Sequence, residues 1–315
     1  ERLINRVGIP SRWLREAVTR TPDFAVANML RDSLSVWAQG GGSKVPVAPA
    51  LGRFGTQLVN MVRGTTTDEY RLLEMGGAIG GYELAGVDPR KLKRVFMGKV
   101  GANVSPLKAM WKVWDTMGEV SARSEAAQRE LVYESTLIEV KNRLIRDGMD
   151  AKDAETRAQS EAIFQAMEVL NFSRRGNSWA AKFFSSAIPF LNARFQGIDR
   201  LYRVGVRGEG PNGEVDRKTA IMTLITRGGM LWGATMLYAF ANYDDEDFER
   251  KYAKYGDDNW LLKIPGTSEF LAVPIPFEVG VIFKAVPELL TRTMLGAEGR
   301  DMVQSLKHQL MSTLA

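Results

Sequence analysis

The side chains with the most chemical potential in this sequence are arginines and carboxylates, because among its 315 residues there is no cysteine and one histidine, His308. That composition excludes disulfides, cysteine nucleophiles and zinc sites built from Cys and His. His308 falls in an amphipathic stretch and is expected on its polar face, which leaves no imidazole for a serine–histidine–acid triad. The pair Arg174-Arg175 can grip a phosphate or carboxylate through guanidinium forks, or satisfy carbonyls at the preceding helix end. The second use is the expected one. The run Asp244-Asp245-Glu246-Asp247 has the charge for a hard cation but lacks the glycine and distal glutamate of a calcium loop, so it reads as a solvated acidic turn. Gly76-Gly77 and Gly80-Gly81 follow no strand and precede no Gly-Lys-Ser/Thr, which makes them a joint or a close-packing point rather than a phosphate loop. No carboxylate pair stands out for glycoside chemistry. No catalytic, cofactor-binding or metal-binding residue is therefore assigned, and this segment is not expected to be an enzyme.

Contact with nucleic acid is the remaining possibility for the charged groups. The net charge of +5 permits a nucleic-acid or anionic-lipid partner without demanding one. Arg90, Lys91, Lys93, Arg94 and Lys99 crowd one short stretch, with Arg200, Arg203 and Arg207 a second. Aromatic interleaving of the single-strand type is thin there, so any DNA contact would be loose and sequence-independent.

Helices must carry these groups. Glu1 to Arg20 reads as an amphipathic helix interrupted by Pro10, with Trp13, Leu14 and Val18 on its apolar side. Thr21-Pro22-Asp23 opens the next, with Phe24, Ala27, Met29 or Leu30, Leu34 and Trp37 at helical spacing, and the glycines at 40–42 end it. Shorter helices follow at Leu51 to Val62, closed by Gly64, at Thr67 to Glu74 and at Asp88 to Lys99. The longest signal runs from Ser105 to Arg146. Its predicted apolar face passes through Leu107, Met110, Trp111, Trp114 and Met117, then Ala127, Leu131, Ile138 and Ile145, with Leu137 and Leu144 alongside. Gly148 ends it and Asp150 can cap its successor, whose stripe of Ala151, Ala154, Ala158, Ala162, Ala166 and Val169 predicts an antiparallel hairpin. Trp260 to Ile264 and Phe270 to Ile275, joined by Pro265-Gly266-Thr267-Ser268, predict a β-hairpin. A helix from Pro276-Phe277 is expected to kink or break near Pro287, with a last one through Val303, Leu306 and Leu310. The expected fold class is mainly α: a multi-helix bundle with antiparallel helical hairpins and one small β-hairpin near residues 260–275. The expected divisions are a helical domain 1–204, a Gly-rich linker 205–213 and a C-terminal part 214–315.

The stretch from Glu168 to Arg203 is expected to be the hub. It holds Asn171-Phe172-Ser173-Arg174-Arg175-Gly176 and Pro189-Phe190-Leu191-Asn192-Ala193-Arg194-Phe195-Gln196-Gly197. Arg174, Arg175, Asn192, Arg194 and Gln196 are its candidate assembly residues. Together with Thr19-Arg20-Thr21-Pro22-Asp23-Phe24, Asn28-Met29-Leu30-Arg31-Asp32, the run Glu125 to Tyr133 and Ile275-Pro276-Phe277-Glu278, these motifs span nearly the whole chain. In that order they resemble a helical domain of the large polyvalent, internal-virion or ejection proteins of tailed bacteriophages. The resemblance implies a structural protein, packaged in the capsid interior and expelled with the genome into the host periplasm or cell envelope, where it helps form a conduit. It implies other virion, ejection, portal or tail proteins as partners, and a homo-oligomer. The missing initial methionine and the end inside a helical stretch lead us to expect a piece of a larger polypeptide. No signal peptide is read at its start.

Thr219 to Tyr243 leaves two readings open. Its length matches the ~20 apolar residues that span a bilayer, and Arg227 is its only charge. A buried helix of a soluble fold is the expectation, with Met222, Ile225, Leu231, Met236 and Leu237 packed on the hairpin 105–170 and Arg227 reaching out to water. The alternative is a membrane-active module inserting into the host inner membrane, with Arg227, Trp232 and Tyr238 as its polar and aromatic markers. A third possibility is an inert scaffold between enzymatic domains of a longer phage-delivered protein.

Overall fold

The computed structural model describes residues 11, 14, 18–38, 47–75, 105–168, 183, 197–199, 201–208, 217–256, 259–275 and 280–296. The elements are α1 (Pro22–Ala38), α2 (Ala48–Arg63), α3 (Asp68–Met75), α4 (Ser105–Arg146), α5 (Ala151–Glu168), α6 (Arg217–Ala241), α7 (Glu246–Tyr255), β1 (Asn259–Lys263), β2 (Phe270–Pro274) and α8 (Val286–Met294). The protein is mainly helical, with a small antiparallel sheet of two strands. It divides into two compact units, Glu1–Met29 with Ala48–Gln196, and Leu30–Val47 with Gly197–Ala315. Helix α1 thus gives its first half to one unit and its second half to the other. The division lies ahead of the Gly-rich stretch 205–213, and the wide turn Arg203–Arg207 packs on α6.

In the first unit α4 and α5 form the antiparallel hairpin. The reversal is set by Gly148, whose φ of +88° suits a residue without a Cβ, and by Met149 N–H donating to Leu144 O at 3.0 Å. The Asp150 carboxylate then accepts from Lys152 N–H at 3.0 Å, capping α5. Ala154, Ala158, Ala162 and Ala166 are fully buried, so the middle of the small-residue stripe is the contact face, whereas Ala151 is exposed and Val169 lies outside the described residues. The core joins Tyr70 and Leu73 of α3 to Ala126 and Tyr133 of α4 and to Ala162 and Ala166 of α5.

The inward face of α4 follows the predicted one at Ala127 and departs from it farther along. Ile138 and Ile145 are exposed, while Arg123, Glu125, Arg129 and Glu130 are buried beside Ala126, Tyr133 and Val140, which puts four charged residues inside. Leu14, expected on an apolar side, is also exposed.

In the second unit α6 lies against α8 and the wide turn Val281–Ala285. Leu231 and Phe283 pack around Trp37 and Ala38, and Tyr238 and Phe270 around Phe248, Tyr252 and Leu261. The hairpin pairs Leu261 with Ala272 and Lys263 with Phe270, within a residue of the predicted limits. Pro287 stands in the first turn of α8, where its missing N–H costs no hydrogen bond, directly after the wide turn. Met222, Ile225, Met236 and Leu237, expected to pack on the hairpin 105–170, are all exposed, whereas Leu231 joins the core around Trp37.

Candidate functional site

The densest polar arrangement in the first unit is a buried seam between α2, α3 and α4. Glu130 sits at its centre, fully buried on α4. Its Oε1 accepts from Gln57 Nε2 at 2.6 Å and from Thr67 Oγ1 at 2.9 Å. Arg53 Nε lies 3.7 Å from Oε2, and the same guanidinium pairs with Glu134. Arg123, one heptad before Glu130, donates to Gln57 Oε1 at 2.9 Å and spreads over the Tyr70 ring at 4.4 Å. Burial pushes the Glu130 carboxyl above the ordinary glutamate range, opposed by the hydrogen bonds from Gln57 and Thr67 and by the Arg53 charge. Beside it Arg129 forks onto Glu125 Oε1 at 2.6 and 3.0 Å and donates to Ala166 O at 2.9 Å, tying α4 to the end of α5. Most of the seam's polar atoms are paired with one another, while Glu130 Oε2 and Arg123 Nε are buried with no hydrogen-bond partner. The seam can hold helices in register, but it presents no acid, base or nucleophile to a substrate.

The second unit has a matching cluster. Lys284 and Glu288 are buried one helical turn apart, 2.6 Å from each other, and Lys284 also donates to Gly256 O. Arg292 spreads over Tyr252 at 4.3 Å and grips both Glu249 oxygens at 2.7 Å. Burial raises the Glu288 carboxyl, with the Lys284 charge opposing. These pairs join α8 to α7.

The acidic run ends up as a helix cap. Asp245 Oδ1 accepts from Asp247 and Phe248 N–H at 3.0 and 3.1 Å, and its other oxygen takes Lys263. Lys263 and those two amides hold the Asp245 carboxyl below its usual range. An open hollow of about 460 Å³ lies there, lined by Ala241 and Asp244 to Asp247. Among the described residues no group of His, Cys, Asp or Glu is placed to hold a metal ion.

Of the residues singled out in the sequence, the three membrane markers become internal anchors. Arg227 donates to Trp37 O at 2.6 Å and stacks on that indole at 5.5 Å. This corrects the expectation of a head reaching into water, and burial lowers its pKa. Trp232 Nε1–H donates to Ile282 O at 2.7 Å, and the Tyr238 hydroxyl accepts from Leu261 N–H at 2.9 Å. Among the described residues no helix is long and apolar enough to cross a membrane. Arg203 is largely buried and lies 2.9 Å from Asp199, which leaves little of it for a phosphate. Arg90, Lys91, Lys93, Arg94, Lys99, Arg174, Arg175, Asn192, Arg194, Arg200, Gln196 and His308 lie outside the described residues. Glu130, Gln57, Arg123, Lys284 and Glu288 were not singled out. The spacing of seven between Arg123 and Glu130, around Ala126 and Tyr133, and the four-residue step from Lys284 to Glu288 were the available signals. Comparison with protein-family models, curated proteins and solved structures finds no match to this chain.

Proposed function

We propose that this chain is a structural and assembly segment, an α-helical part of a phage internal virion (ejection) protein that travels with the genome and helps build its conduit across the host envelope. One observation carries the reading. The polar side chains of the motifs behind the resemblance are used to join distant parts of the chain within each unit. Arg20 donates to Trp114 O at 3.0 Å, Gln128 to Met29 O at 3.3 Å, Arg31 to Ile275 O at 3.2 Å, and Arg129 to Ala166 O at 2.9 Å. Such bonds specify shape, which is what an assembly piece needs. A cysteine-free chain has no disulfide to remake after passage through a narrow tube.

The test is quantitative mass spectrometry of purified particles before and after triggered DNA release. The chain should be present at a fixed copy number in full particles and depleted from emptied ones. Its absence from full particles, or full retention after release, would overturn the reading.

A further inference from the structure

We propose that the outward face of α6 is a self-association surface on which a second copy of this chain lies antiparallel. Arg227, Gly228, Leu231, Thr235 and Tyr238 turn α6 toward its own unit. Met222, Ile225, Met230, Met236, Leu237 and Phe240 fall on the opposite side and are between 36 and 70% exposed. No charged residue interrupts that side, because the only charge within residues 219–243 is tethered to Trp37. The six side chains leave roughly 700 Å² of surface per copy, close to the ~800 Å² that each partner gives to a standard interface. Isolated surface apolar residues need no explanation, but a continuous patch of this size does.

The ends of the helix identify the occupant. Arg217 and Lys218 are exposed at its start, and Asp244 and Glu246 are exposed beyond its end, beside the acidic hollow. A twofold axis at the level of Leu231 sets Met222 against Phe240, Ile225 against Leu237, and Gly229 against Gly233. The same axis brings Lys218 of each copy to Asp244 of the other. A Cβ built at Gly229 or Gly233 meets open space, so the helix axes are free to approach there. A twofold contact must be self-complementary, and this sequence of apolar, small and charged positions is. The pairing does not depend on the function proposed above.

The experiment is analytical ultracentrifugation of the 315-residue chain from about 1 to about 100 μM, a range that brackets ordinary interface affinities. A monomer–dimer equilibrium is expected. Leu237→Arg, at an exposed position, should abolish it while circular dichroism stays unchanged. Lys218→Glu should weaken the dimer roughly tenfold at low salt, through two lost exposed ion pairs, and adding Asp244→Lys should restore it. A monomer at every concentration, or a dimer indifferent to Leu237→Arg, overturns the proposal. Failure of the double charge reversal to restore association overturns the antiparallel arrangement. A monomer that sediments with phosphatidylcholine vesicles, and stops doing so on Leu237→Arg, identifies lipid as the occupant instead.

Discussion

Glu130 bears the sharpest conflict between desolvation and pairing in the first unit. Its carboxylate is buried among Gln57, Thr67 and Arg53, with Glu134 nearby as a like charge, and burial is the stronger influence. A carboxyl whose folded pKa is raised binds its proton more tightly in the folded chain than in the unfolded one. Acidification through the raised value therefore favours folding, and the gain stops once the pH is below the unfolded value. Glu130→Gln removes this titration and keeps an acceptor for Gln57 and Thr67. Unfolding free energies measured in urea between about pH 8 and pH 4.5 should show the native chain gaining on the Gln variant as pH falls. The opposite slope would mean that pairing, not burial, governs this carboxyl. Buried ionic clusters of this kind are weak contributors to stability and stronger specifiers of one arrangement, as a helix hub requires.

At the scale of elements, α6 shows how a helix rich in apolar residues is held within its unit. Its inward side is fastened by Arg227, Trp232 and Tyr238 to backbone groups of three other segments. Gly228 lets it approach the wide turn before α8, because a Cβ there would collide with the Phe283 ring. Gly228→Ala should destabilise the protein by about 1–3 kcal/mol through overpacking, despite alanine's better helix propensity. Gly229→Ala, one position along and open to space, should be neutral or stabilising by about 0.5–1 kcal/mol. Denaturant melts of the two at low concentration separate the cases, and equal effects would show that α6 is misoriented. The hairpin of α4 and α5 uses the same device in another form, with four alanines in place of one glycine.

Among the described residues, each unit has an apolar core and a buried ionic cluster of its own. Substitutions that share no partners act locally. Gly228→Ala should therefore raise amide hydrogen exchange in α6, α7, α8 and the β-hairpin and leave α4 and α5 unchanged, as read by mass spectrometry of peptic fragments. A matching rise in α4 and α5 would show that the units unfold as one.

Sequence by itself determined the local events, because their causes lie within a few residues. The mainly helical class, the stop at Gly148, the cap at Asp150, the alanine contact face and the β-hairpin at 259–274 all follow from backbone conformation, capping and periodicity. Tertiary structure alone decided which way α4 and α6 turn. Periodicity placed Ile138 and Ile145 of α4 inside. The buried face instead runs through Arg123 and Glu130, since Gln57 and Thr67, more than 60 residues earlier, satisfy that carboxylate and make its burial tolerable. For α6, composition left a buried helix and a membrane span both open. In the structure Trp37 O, 190 residues before Arg227, accepts the guanidinium, and the apolar side lies outward. A buried charge is affordable only beside its partner, and no property of the residue itself reveals where in the chain that partner lies.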